Sequence, residues 1–290
     1  MPIAGLTLIG ETINDSVPST RKLFEAGDMA GLVELARFQD RSGAAYIDVN
    51  VGARSPELMA ELVRKIQAVT AKPLSIDTPD PATARAGLEA YDAQRAGGAR
   101  PILNSISPLR AGMFDLYRVR PFRPILLASE QERDGRSAPC RTAEETYQAA
   151  RQLVETFRRR CPGGSNDDCI IDPGIAPIGS DCEGNLKRLM GALALIHADP
   201  LLAGVHASVG LSNFTVMLPP KRADGSPVKG PLENAFLTKA MPLGLDTVIG
   251  SVKRSYAPLP ADNPALECLE DCLKLEGFEV LMRVRRFYAE

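Results

Sequence analysis

The sequence of 290 residues predicts an α/β chain folded as a (β/α)8 TIM barrel, on three observations. Short apolar runs alternate with segments of helical periodicity about eight times, a repeat of about 36 residues that suits one β/α unit. Several runs are apolar throughout instead of alternating, as parallel strands buried on both faces must be. Most end in a carboxylate or an amide, at the place where a barrel keeps its chemistry.

The elements follow in order. The first strand, residues 6–13, runs through IGETIN and brings Glu11 and Asn14 to its end. A helix over 29–42 follows, with Leu32, Leu35, Ala36 and Gln39 on one stripe. Strand 45–50 carries Asp48 and Asn50 in YIDVNVG; helix 56–69 has Leu58, Leu62, Ile66 and Val69 in phase, and Pro56 in its first turn. Strand 73–77 closes on Asp77 in LSIDT, and Pro79 opens a helix expected to reach residue 96. Strand 101–105 closes on Asn104 in PILNSIS, followed by the weakest crossover, the short arginine-rich stretch 109–120.

In the second half, strand 124–128 leads through a polar loop at 133–138 to helix 142–160. Its last residues, Arg158, Arg159 and Arg160, complement the C-terminal dipole. Strand 169–172 closes on Asp172 in IIDPGI and precedes helix 182–198. Strand 204–208 ends in Ser208 and is followed by the loop GLSN, with Asn213. A polar loop at 219–230, long enough for a lid or a docking surface, leads to helix 232–243, strand 246–250 and a terminal helix over 278–288. No low-complexity linker interrupts the chain, so residues 1–290 are expected to form one domain.

Composition excludes several functions. Lys and Arg total 34 against 36 Asp and Glu, a net charge of −2, which offers no electrostatic footprint for nucleic acid or an anionic membrane. The two histidines, His197 and His206, cannot build a three-histidine zinc site, and no HExxH or C-x-x-C is present, so no protein-bound metal is expected. His206 reads as a core or rim residue and His197 as a helix-end group. Six scattered cysteines fit a reducing cytosol better than a disulfide framework. The N-terminus lacks a basic region and a cleavage site, and the longest uncharged stretch, 200–220, is broken by polar residues and glycines. A cytoplasmic protein free of membranes is therefore expected. There is no Walker A, G-x-G-x-x-G or G-x-S-x-G pattern.

What remains is the rim. Any one Asp or Asn after a strand is explained as the cap of the next helix. Caps would accept Ser and Thr equally, yet Glu11, Asn14, Asp48, Asn50, Asp77, Asn104 and Asp172 are all carboxylates and amides. Such groups suit a flat heterocycle with adjacent donors and acceptors.

SIDT, ILNSIS and DPGI, in that order and at these separations, resemble the pterin-binding barrel superfamily of dihydropteroate synthases and methyltetrahydrofolate:corrinoid methyltransferases. IGETIN, DVNVG and GLSN look like the methyltransferase branch. A synthase would show an S-T-R-P-G-type loop after strand two, an S-R-K-type segment after strand seven and a late R-x-H. Here the sequence reads NVGARSPE and GLSNF, with no late R-x-H. DPGI is closer to the synthase spelling and does not discriminate.

The resemblance implies that Asp77, Asn104 and Asp172 bind the pterin of tetrahydrofolate or 5-methyltetrahydrofolate, and that Asn213 serves its N5 as the catalytic residue. Glu11, Asn14, Asp48, Asn50 and Ser208 are expected around the rim. It further implies a homodimer and a methyl transfer in which the cobalt of a corrinoid (cobalamin) rides on a separate protein. No D-x-H-x-x-G surrounds either histidine, in keeping with that. Where the family leads sooner to the next helix, this chain has FTVMLPPKRADGSPVKGPLENAFL, so the loop at 219–230 is expected to set the corrinoid partner. The alternatives are a pterin-condensing synthase and a non-catalytic barrel that binds folate or a corrinoid protein.

Overall fold

The structure is a computed structural model that describes residues 3–289; Met1, Pro2 and Glu290, within the expected domain 1–290, lie outside the described residues. Its strands are β1 (Thr7–Asn14), β2 (Tyr46–Asn50), β3 (Leu74–Asp77), β4 (Ile102–Ile106), β5 (Arg123–Leu127), β6 (Glu130–Arg133), β7 (Arg136–Pro139), β8 (Ile170–Asp172), β9 (His206–Gly210) and β10 (Thr247–Gly250). Eight of them close a parallel barrel in the order β1-β2-β3-β4-β5-β8-β9-β10, with β10 pairing back to β1. The expected barrel is present.

Side chains alternate along each strand, so one face fills the barrel and the other meets the helices. Ile9, Ile102, Ile125 and Ile170 form the layer inside, flanked by Tyr46 and Ile249. Two larger apolar clusters lie between the strands and the helices. The next inward position toward the C-terminal mouth is Glu11 on β1, Asp48 on β2, Asn104 on β4, Leu127 on β5 and Asp172 on β8, with Asp77 directly opposite Asn104 in the β3–β4 register. Strand β1 has an irregularity between Gly10 and Ile13, where Gln39 Oε1 accepts from Thr12 N at 3.1 Å. The extra residue shifts the alternation, so that Glu11 and Asn14, three apart, both reach the mouth.

The helices are α1 (Pro18–Glu25), α2 (Met29–Arg41), α3 (Pro56–Gln67), α4 (Pro81–Ala90), α5 (Ala143–Arg160), α6 (Asn185–Ala198), α7 (Leu211–Phe214), α8 (Lys229–Ala240), α9 (Pro264–Cys272) and α10 (Phe278–Ala289). Asp28, Ser55, Asp80, Thr142 and Asn263 cap α2, α3, α4, α5 and α9 by accepting a backbone N–H. Helix α4 starts two residues later than Pro79 because Asp80 is its cap, and it ends at Ala90, short of residue 96. Beyond it the chain is held by side chains: Gln67 Oε1 accepts from Asp92 N at 2.8 Å, and the Tyr91 hydroxyl donates to Ala99 O at 2.9 Å.

The fourth crossover is a 3-10 run, Pro108–Arg118, kinked at Arg110. Helices α1 and α9 and the hairpin β6–β7 were not expected from sequence. The hairpin turns at Asp134 and Gly135, both with positive φ (51° and 72°). Strand β9 is displaced two residues from the expected 204–208. That moves Ser208 off the rim: it is fully buried in mid-strand, with an Oγ that has no partner, and Gly210 takes the strand end. The loop at 219–230 folds back through a bridge between Lys221 and Pro227 and is tied to α10, where Arg222 lies 4.7 Å from the Phe287 ring centroid. None of residues 219–228 lines the mouth, and Lys229 of this loop lines the cavity beside it. Among the described residues no helix is long and apolar enough to cross a membrane.

Candidate functional site

The C-terminal mouth encloses about 570 Å³, and its wall includes Glu11, Asn14, Asp48, Asp77, Asn104, Asp172 and Asn213. Seven polar side chains singled out from sequence are thus brought together from β1, β2, β3, β4, β8 and α7. Asn50 stands behind that wall: its Nδ2 donates to Asp77 Oδ2 at 2.8 Å, and its Oδ1 accepts from Gly52 N at 2.8 Å. Ser208 is buried beneath the mouth, outside its lining.

Asp172 is shaped by the turn that follows it. Gly174 N donates to Asp172 Oδ1 at 2.7 Å, with Gly174 at φ 73°. A side chain at Gly174 would run into Ser129, which explains the glycine. Arg188, on α6, holds the turn from below: it donates to Pro173 O at 2.7 Å, Gly174 O at 2.9 Å and the Thr146 hydroxyl at 2.8 Å. Burial pushes the Asp172 carboxyl up to about 6, against the opposing pull of the Gly174 N–H and the Arg188 charge. At neutral pH it is an acceptor-only anion on the wall of the mouth, which suits a ligand with paired N–H donors.

Asp77 and Asp48 form a second unit. Burial raises both; Asp48, deeper and only 1% exposed, is raised well above the carboxylate range, with the charge of Asp77 adding to the effect. The two carboxyl groups thus lie side by side in a buried site that disfavours charge on both, Asp48 the more strongly. Ser75 and Asn104 stand beside Asp48 and oppose the rise.

The opposite side of the mouth is built by β9, α7 and β1. The Ser212 hydroxyl donates to Glu11 Oε1, and burial raises the Glu11 carboxyl against that bond and the charge of Arg254. Asn14 Oδ1 accepts from the backbone N–H and the hydroxyl of Ser16 at 2.8 and 2.7 Å, which fixes the rim after β1. Asn213 is exposed and, among the described residues, its side-chain amide makes no hydrogen bond. A Cβ at Gly210 would sit 2.9 Å from Asn213 Nδ2, so the small residue at the end of β9 leaves the amide its place.

Sequence reasoning missed Arg188, Ser212 and the pair Arg254–Glu233. Arg188 had a signal, a charge among the apolar residues of NLKRLM that form the buried face of α6. The others depend on contacts across the fold. His206 begins β9, at the end of the barrel away from the mouth, and is neither core nor mouth rim. Its Nδ1 lies 2.6 Å from Asp246 Oδ2 and its Nε2 lies 3.3 Å from Asp167 Oδ1. His197 is in the last turn of α6. Among the described residues no group of three or more His, Cys, Asp or Glu is placed to hold a metal ion.

Residues 13–250 match the family described as pterin binding enzyme. The chain is 25% identical over 251 residues to a methylcorrinoid:tetrahydrofolate methyltransferase of Eubacterium limosum, with 84% of each chain covered. Among solved structures it is similar to a dihydropteroate synthase of Xanthomonas albilineans with 4-aminobenzoic acid, at a TM-score of 0.54 and 17% identity, covering 93% of this chain and 90% of that one. A dihydropteroate synthase of Yersinia pestis with a pterin–sulfa conjugate gives a TM-score of 0.56 at 14% identity, covering 93% and 91%. At those identities the two synthases speak for the fold alone.

Proposed function

Because this chain belongs to the family of pterin-binding enzymes, we propose that it transfers a methyl group, in either direction, between N5 of tetrahydrofolate and the cobalt of a corrinoid carried on a separate protein. The observation that carries this is the exposed, unbonded amide of Asn213 over a cavity that also presents Asp77 and Asn104 from the opposite strands and Asp172 from the strand beside β9. The methylcorrinoid:tetrahydrofolate methyltransferase among its relatives supports the same chemistry.

A pterin presents an amino group beside a ring N–H, two donors side by side. Asp172, an ionised and acceptor-only carboxylate, takes both. Asp77 and Asn104 complete the polar edge, with Asp48 buried beside Asp77. In that orientation the opposite edge of the ring, with N5, lies toward Asn213.

The amine N5 is a poor leaving group, and electron density builds on it as the C–N bond breaks. The Asn213 amide donates to that density, and a hydrogen bond that strengthens only in the transition state contributes about 2 to 4 kcal/mol. An amide both donates and accepts, so Asn213 serves N5 protonated or not. The corrinoid is the other substrate, and holding it against the mouth supplies much of the remaining acceleration. A homodimeric, cytoplasmic enzyme belongs to the same proposal.

The test is to mix the protein with 5-methyltetrahydrofolate and reduced free cobalamin and to follow the loss of Co(I) absorbance. Enzyme-dependent loss is expected. The absence of both folate binding and methyl transfer would refute the proposal; folate binding without transfer, with the cognate corrinoid protein also supplied, would favour a non-catalytic barrel.

A further inference from the structure

A second cavity of about 420 Å³ opens beside the first and shares Glu11, Ser212 and Val216 with it. Its outer wall carries Lys229, Lys253 and Arg254, its inner wall Glu233. The two carboxylates of this annex already have partners. Glu233, 1% exposed, accepts from the Thr215 hydroxyl at 2.7 Å and faces Arg254 Nε at 3.2 Å, and Glu11 accepts from Ser212. The two lysines do not. Lys229 Nζ reaches only the carbonyl oxygen of Val216, at 3.3 Å, and Lys253 Nζ lies 5.8 Å from the Phe38 ring centroid. Lys229 feels the charge of Glu233 at a distance, but among the described residues neither lysine forms an ion pair, so three cations share a cavity with two carboxylates.

Position says what the annex receives. Asp77 and Asn104 end β3 and β4, across the barrel from the ends of β9, β10 and β1 over which the annex lies, and Asp172 ends β8, the strand beside β9. A folate whose amino and ring N–H edge meets Asp172 has N5 at the far end, near Asn213. Its side chain leaves from C6, the atom next to N5, and so departs past Ser212 and Val216 toward the annex. That side chain ends in glutamate carboxylates.

We propose that the annex binds the anionic γ-glutamyl tail of the folate, with Lys229 and Lys253 as its counterions. This rests on the pterin assignment above. It makes the protein selective for tail length, since each added glutamate brings a carboxylate while the ring contacts stay the same. Arg254 stays with Glu233 and shapes the wall.

The experiment is calorimetric titration at low salt with tetrahydrofolate bearing one or three γ-glutamates and with 6,7-dimethyltetrahydropterin, which has no tail. It uses the wild type, Lys229→Gln/Lys253→Ala and the charge reversal Lys253→Glu. Two solvent-accessible ion pairs amount to about a tenfold preference for the triglutamate, which shrinks as salt is added. The double variant is expected to lose the preference and Lys253→Glu to weaken it, while the tail-less pterin binds all three proteins alike. Lys253 is exposed, so its reversal leaves the core untouched. Equal affinity of wild type for one and three glutamates overturns the proposal, as does a preference that survives in the double variant. If the tail-less pterin also fails to bind wild type, the pterin assignment falls and the annex proposal with it.

Discussion

Replacing Asp172 by Asn is expected to stabilise the protein and to ruin its pterin site at once. In the unfolded chain this carboxyl ionises near 3.8, in the fold near 6. The folded state therefore holds a proton that the unfolded state has released, and stability falls as pH rises from about 4 to about 6 through this group. The gap corresponds to at most about 3 kcal/mol of stability lost at neutral pH. Asn carries no charge and keeps an oxygen for the Gly174 N–H, so the variant does not suffer this loss. Its Tm at pH 7 should exceed that of the wild type by about 2 °C or more, with the difference vanishing toward pH 4. Binding should move the other way. Only the ionised carboxylate accepts both pterin donors, so wild-type affinity at pH 5, where about a tenth of Asp172 is ionised, should be about tenfold below its plateau above pH 7. The variant should bind about 100-fold more weakly than the wild type at pH 7, with a flattened pH profile. Differential scanning calorimetry and fluorescence titration across pH 4–8 read both effects. A variant that is less stable than the wild type, or wild-type affinity that is flat between pH 5 and 7, would refute the role given to Asp172.

Three further substitutions separate the remaining roles. Asn213→Ala should lower the rate of methyl transfer by about 100-fold or more while changing the folate Kd by less than about threefold, because the amide acts mainly on the transition state; equal losses in both would contradict it. Ser208→Ala removes a buried hydroxyl with no partner and should leave stability unchanged or raise it in urea unfolding, whereas a loss above about 1 kcal/mol would reveal a partner for that group. His206→Gln addresses the clasp with Asp246 and Asp167, near Arg123, in which the bond to Asp246 raises the imidazole above its ordinary value. That stabilisation is complete below the ordinary histidine value and is lost as pH rises through the raised one, so wild type should lose urea resistance from pH 6 to 8 and the variant should not; identical pH profiles would show the clasp to be inert.

The barrel was legible because a parallel strand buried on both faces has a signature, an apolar run that stops at a polar residue, and Asp77, Asn104 and Asp172 all stop such runs. The site was legible for the same reason, since a barrel brings all its strand ends to one mouth. Elements with little apolar surface were not. The hairpin EQERDGRSAP is polar on both faces and shows only its Asp134–Gly135 turn, and α1 has just Leu23 and Phe24 to bury. Ser208 was misplaced because the apolar run through GVHAS gives no sign that pairing continues to Gly210. Asp48 reads in sequence as one rim carboxylate among several. That it lies buried beside Asp77, its carboxyl pushed up, depends on the strand register, as the annex depends on α8 and the end of β10 meeting across α7.

The central claim is that a methyl group passes between the folate N5 and a corrinoid cobalt over Asn213. A single turnover with 5-methyltetrahydrofolate labelled with carbon-13 in the methyl group, reduced cobalamin and the protein, followed by NMR, tests it directly. The label is expected to move to cobalt with the wild type and to stay on the folate with Asn213→Ala. A label that stays on N5 with the wild type, while a pterin diphosphate and 4-aminobenzoate condense on the same protein, would contradict the claim and make the chain a synthase.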